Sequence, residues 1–188
     1  MNGKFSKDQK DIYQIVLNAQ KTVINTLKPG IKWVDMHILA EKIICEGLIE
    51  LNLIKGNYEE LIENDIPSLF FPHGLGHFMG IDVHDPPNRD SSVIVPQRSG
   101  IQYLRCSPVF EEGMVITVEP GLYFIKNMLE KAFLNEKQNK FLNIEKIKKF
   151  INFGGVRIED DILITKDGIE NLTNVPKEID EIEKIMKK

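Results

Sequence analysis

Cysteine occurs twice in these 188 residues, histidine four times and tryptophan once. Cys45, inside an apolar helical pattern, and Cys106, in a loop-like stretch, supply neither a disulfide framework nor a metal knuckle, and favour a reducing compartment. A basic excess is also missing. The 24 Lys and Arg against 28 Asp and Glu give a net charge of -4, which argues against general attraction to nucleic acid or acidic lipid and leaves small molecules or proteins as partners. No run approaches the roughly 20 apolar residues needed to span a bilayer, and the first residues, MNGKFSK, hold no apolar signal core. The expectation is a cytoplasmic chain without a membrane partner. Repeats, low-complexity blocks and linkers are lacking as well, so 1–188 reads as one domain whose 42% hydrophobic content can bury a sizeable core.

What is present begins with helices. From Ser6, the apolar residues Ile12, Val16, Val23 and Leu27 recur at near-helical spacing, with Ser6 and Gln9 spaced as a capping box and Pro29-Gly30 as the stop. Asp35 can cap a second helix whose inner face carries Ile38, Leu39, Ile43, Leu48 and Leu51 and which ends near Gly56; a short acidic helix follows at 57–64. The pattern then changes. Pro72, Gly74, Gly76 and Gly80 disfavour helix, and Phe78 to Val83 can run extended. Residues 86–112, with Pro86-Pro87, Asn88, Pro96, Gly100 and Pro108, read as a long irregular connection, which in a small domain is often functional. Met114 to Val118 reads as a strand, with Leu122 to Ile125 returning beside it after Glu119-Pro120-Gly121. A lysine-rich helix at 126–150, a strand from Val156 to Ile164 closed by a turn at Asp167-Gly168, and a charged helix from Glu178 to Met186 complete the chain.

Three of the four histidines, His73, His77 and His84, fall in the window FFPHGLGHFMGIDVHD. His73 and His77 stand four apart, as on a zinc-binding helix, but the glycines oppose that helix. A purely structural reading has these rings donating to backbone carbonyls in a glycine-rich turn; their clustering favours function. Glu119 closes an apolar strand, where burial without a partner is costly and a cation is one solution; a rim glutamate at a turn is the other reading. In VRIEDDILI, strand alternation puts Arg157, Glu159 and Asp161 on one face and Asp160 on the other. Arg157 can neutralise one carboxylate and a metal can hold Glu159, unless this is a solvated edge. One imidazole and two carboxylates suit Mn²⁺, Co²⁺ or Zn²⁺. Phosphate-cradling loops and serine nucleophile elbows are absent.

FFPHGLGHFMGIDVHD, MVITVEPGLYFI and FGGVRIEDDILIT, in that order, closely resemble the C-terminal catalytic half of the prolidase branch of the pita-bread metallopeptidase family, which includes aminopeptidase P and methionine aminopeptidase. The likeness covers essentially the whole chain. It implies an α+β fold, a mixed curved sheet flanked by helices, forming the second pseudo-symmetric half of that architecture. By motif it makes His77, Glu119 and Glu159 metal ligands, Glu159 bridging two ions, and Glu119 the general base. His73 and His84 match histidines that steer substrate and stabilise the tetrahedral intermediate, Arg105 matches the arginine that pairs with a dipeptide's carboxylate, and Arg157 would orient the carboxylates. The implied activity is metal-dependent hydrolysis of Xaa-Pro dipeptides with two Mn²⁺, Co²⁺ or Zn²⁺ being alternatives, by an enzyme that is a homodimer when intact.

The family site also uses two aspartates and a histidine upstream of the helix that begins here at Ser6. The expectation is therefore a C-terminal portion of the catalytic domain, binding at most one ion weakly, with little activity alone and with exposed apolar surface. A non-catalytic binding module of the same fold is an alternative that metal analysis discriminates, and an aminopeptidase P-type exopeptidase is another that peptide length discriminates. Pro86-Pro87 after Asp85 departs from the glycine-containing loop common in prolidases and alters the expected shape of the substrate loop.

Overall fold

The computed structural model describes residues 3–87 and 89–187; Met1, Asn2, Asn88 and Lys188 lie outside the described residues. Helix α1 (Lys7–Thr26) starts where the sequence places it, with both arms of the Ser6–Gln9 capping box formed. It packs along α2 (Trp33–Glu50) and beneath the strands. Helix α2 differs from expectation at its start, on its inner face and at its end, which falls at Glu50 rather than near Gly56. Lys32 precedes it without a side-chain cap, and Asp35 sits in its first turn. Trp33, Met36, His37, Ala40, Glu41, Ile44 and Leu48 are buried, whereas Ile38, Leu39, Ile43 and Leu51 are half-buried flanks of the same core. The face turns because two polar residues, His37 and Glu41, point inward, which an apolar pattern does not register. Helix α3 (Tyr58–Glu63) forms on its own capping box from Asn57 to Glu60.

The strands decide the site. Strand β1 (Val115–Val118) pairs antiparallel with β4 (Asp160–Ile164), Val118 facing Asp160, and β2 (Gly121–Tyr123) pairs antiparallel with β3 (Gly155–Arg157), Gly121 facing Arg157. Both ladders keep one register, so 115–123 and 155–163 form a single two-stranded ribbon interrupted at Glu119-Pro120 and Ile158-Glu159. Here the structure corrects the expected hairpin between 114–118 and 122–125. Pro120 has no N–H to give to a ladder, so it breaks the strand without reversing the chain. Strand β5 (Ile169–Asn171) adds to β4, also antiparallel. The sheet expected to be mixed is therefore antiparallel in every ladder described, with a parallel contact only at the isolated bridge Arg89–Ser107. The lysine-rich stretch divides into α4 (Lys126–Leu134), α5 (Glu136–Asn139) and α6 (Ile144–Lys148) because Asn135 and Asn143 each cap a new start. Helix α7 (Ile179–Met186) closes the chain.

Candidate metal centre

Glu119 lies one residue past β1 and Glu159 one residue before β4, and the shared register sets them opposite each other where the ribbon is interrupted. Directly opposed residues share a face of a sheet, so both carboxylates point the same way, as the alternation of Arg157, Glu159 and Asp161 implied. Asp160 takes the other face and is buried, bonded by Asn171 and paired with Lys177 at 2.7 Å.

His77 arrives from the free edge of β1. Thr117 N–H donates to the His77 carbonyl at 2.9 Å and Glu119 N–H to the Leu75 carbonyl at 2.8 Å, and Phe78 bridges Ile116, so residues 75–79 run antiparallel beside β1. The approach is close enough to require glycine at 76, where a Cβ would lie 1.9 Å from the Thr117 carbonyl oxygen. The extended run expected from Phe78 to Val83 lies earlier, at 75–79. Beyond Phe78 the chain turns, leaving Ile81, Val83 and His84 exposed.

One ligand atom each from His77, Glu119 and Glu159 lies within 4.8 Å of the others. His77 Nδ1 sits 2.9 Å from the Phe78 carbonyl, which fixes the tautomer with hydrogen on Nδ1 and turns the Nε2 lone pair toward Glu119 Oε1, 3.3 Å away. Two lone pairs facing one another call for a cation between them. Glu119 is buried; its Oε2 accepts from Arg157 Nη1 at 2.6 Å and its Oε1 from Thr117 Oγ1 at 3.2 Å. Arg157 also donates from Nε to the Tyr123 hydroxyl at 2.6 Å. Partial desolvation, then the Glu119 carboxylate, raises the pKa of Glu159. A divalent ion would offset the repulsion between the two carboxylates, and the donor set fits one.

The cluster opens on a cleft of about 440 Å³ lined by His73, His77, His84, Tyr103, Arg105 and Arg157, among others. His73 is half-buried, with Nδ1 2.7 Å from the Gly74 carbonyl and Nε2 buried without a partner. Burial, with a smaller push from Arg157, lowers its pKa to about 4, so the ring is neutral and its Nε2 lone pair is open to a donor. His84 packs edge-on to His77, ring centroids 4.3 Å apart; desolvation, then His77 and Arg105, lower its pKa. All seven residues picked from sequence thus meet at one place. Thr117, Tyr123 and Tyr103 are not singled out by the sequence; the first two carry no mark beyond strand-forming residue type, and Tyr103, two places before Arg105, belongs to no motif of its own.

The family model described as Metallopeptidase family M24 matches residues 1–166. The chain belongs to this metallopeptidase family. It is 45% identical to mouse Xaa-Pro dipeptidase over 185 residues, covering 98% of this chain and 38% of that protein, and 43% identical to the human Xaa-Pro dipeptidase with the same coverage. A solved structure described as Zn substituted E. coli aminopeptidase P in complex with product superposes with a TM-score of 0.72 at 36% identity, covering 98% of this chain and 36% of that one. The fold is thus the pita-bread fold of the family, and the family uses divalent metal. The chain spans well under half the length of the relatives it matches. Among the described residues, no helix is long and apolar enough to cross a membrane.

Proposed function

We propose that His77, Glu119 and Glu159 hold a divalent ion, Mn²⁺ with Co²⁺ or Zn²⁺ as alternatives, and that this site serves hydrolysis of the bond preceding proline in Xaa-Pro dipeptides. The convergence of these three donors beside the cleft carries the reading. A bound ion supplies Lewis acidity, polarising the scissile carbonyl and making water acidic near neutral pH. Glu119, with Oε2 held by Arg157, takes the proton of the attacking water at Oε1. Neutral His73 accepts a substrate N–H at Nε2, and His84, exposed at the rim, donates to the developing oxyanion. Arg105 pairs with the free carboxylate and so limits substrates to dipeptides. Buried, unpaired Cys45 and Cys106 support a cytoplasmic setting. Assembly as a homodimer is the corresponding reading for the intact enzyme.

Similarity to aminopeptidase P supports a second reading, exopeptidase action on longer peptides. Calorimetry with Mn²⁺ present separates the two. Gly-Pro is expected to bind this chain more tightly than Gly-Pro-Ala; equal affinities favour the second reading, and no binding of either to the Mn²⁺-loaded chain overturns both. Because three protein donors converge among the described residues, we expect weak Mn²⁺ binding and little turnover by the 188-residue chain alone. Rapid Gly-Pro hydrolysis would refute that expectation.

A further inference from the structure

Glu41 sits mid-helix on the apolar inner face of α2 with no exposure at all. A carboxylate there is strongly unfavourable unless it is paired and hydrogen-bonded. Arg98 Nη1 donates to Oε2 and Nη2 to Oε1, each at 2.7 Å, and the Tyr58 hydroxyl donates to Oε1 at 2.7 Å. Three separate parts of the chain, α2, α3 and the long connection, therefore meet on one side chain. Replacing a buried ion pair by apolar side chains of similar volume is often neutral or stabilising, so stability alone does not account for the choice. A two-point guanidinium–carboxylate fork does something an apolar contact cannot: it fixes orientation.

From Arg98 the chain runs straight into the wall of the cleft. Gln102 N–H donates to the Arg98 carbonyl at 3.2 Å. Gly100, at φ 83°, lies so near the Phe71 carbonyl that a Cβ would come within 3.2 Å of it. A 3₁₀ turn at Ile101–Tyr103 follows, and Arg89 Nη2 donates to the Leu104 carbonyl at 3.3 Å. Tyr103 and Arg105 then line the cleft. Among the described residues the Arg105 guanidinium makes no hydrogen bond or ion pair, so its place depends on the backbone that delivers it.

We propose that the Glu41–Arg98 pair is a positioning device: without touching substrate, it fixes residues 99–105 and so sets where Arg105 stands at the cleft. The inference rests on the reading of Arg105 as the carboxylate-binding group. The test uses the full chain with Mn²⁺, comparing wild type, E41L/R98M and R98K. E41L/R98M replaces the pair by apolar side chains, and R98K keeps the charge but loses the fork. Two quantities are read: amide hydrogen exchange at 101–105, and the preference for Gly-Pro over Gly-Pro amide, which lacks the carboxylate. In E41L/R98M, exchange at 101–105 is expected to accelerate by about tenfold or more while β1 and α1 are unchanged. The preference for the free carboxylate is expected to fall about tenfold with Mn²⁺ affinity unaltered, and R98K is expected to fall between. Wild-type exchange at 101–105 in a folded E41L/R98M or R98K chain overturns the proposal. A wild type that binds Gly-Pro and its amide equally defeats the Arg105 reading instead, and the exchange data still decide the role of the pair.

Discussion

Thr117 shows how a residue with no chemistry of its own sets up a site. Its hydroxyl accepts the His77 N–H at 3.0 Å and donates to Glu119 Oε1 at 3.2 Å, so one buried side chain holds two of the three proposed metal donors. We expect T117V to keep the fold at a cost of about 1 kcal/mol and to weaken Mn²⁺ binding about tenfold, checked by thermal melting and calorimetric titration. The convergence of His77, Glu119 and Glu159 was legible in the sequence because their motifs have few other uses. Thr117 was not, since a threonine in a β-branched run reads as a strand former. Nor was Glu41: a polar residue on a helix reads as surface until its partners are known, and Arg98 stands 57 positions away.

At the scale of elements, the capping box of α1 and the two apolar strand runs were readable because they are local signals. Pairing is not local. The dipeptide Pro120-Gly121 resembles a turn, yet it interrupts a continuous ribbon, and that interruption frees Glu119 and Glu159 from the ladder to face the cleft. The ribbon alone lacks the imidazole, which depends on how closely residues 75–79 approach β1. Gly76→Ala puts a methyl group where the Thr117 carbonyl already stands, 1.9 Å away. We expect a loss of about 1–3 kcal/mol together with loss of Mn²⁺ binding, measured by denaturant unfolding and titration. Gly168→Ala, with nothing within 4 Å, serves as a control and is expected to change stability by less than about 0.5 kcal/mol.

The whole molecule answers to pH through His37. Its ring is fully buried against Phe71, centroids 5.0 Å apart, with neither nitrogen hydrogen-bonded and Nε2 3.9 Å from Glu41 Oε2. Burial first, then the Arg98 and His73 charges, lowers its pKa from 6.5 to about 3. Between those values the unfolded chain takes up a proton that the folded chain refuses. The contribution of His37 to stability is therefore complete above pH 6.5 and is lost as pH falls toward 3, with a slope of at most about 1.4 kcal/mol per pH unit. His37→Phe should remove that slope, seen as a smaller loss of stability on acidification than in wild type; parallel profiles would count against a buried, neutral ring. The fold, the ribbon and the cleft finally converge on one claim, that His77, Glu119 and Glu159 hold a divalent ion. Its most direct test is Mn²⁺ titration of the full chain, of H77A and of E159Q, with circular dichroism to establish that each is folded. One ion per wild-type chain is expected, with binding weakened by about 100-fold or more in each variant. Wild-type affinity in a folded H77A or E159Q chain would contradict it.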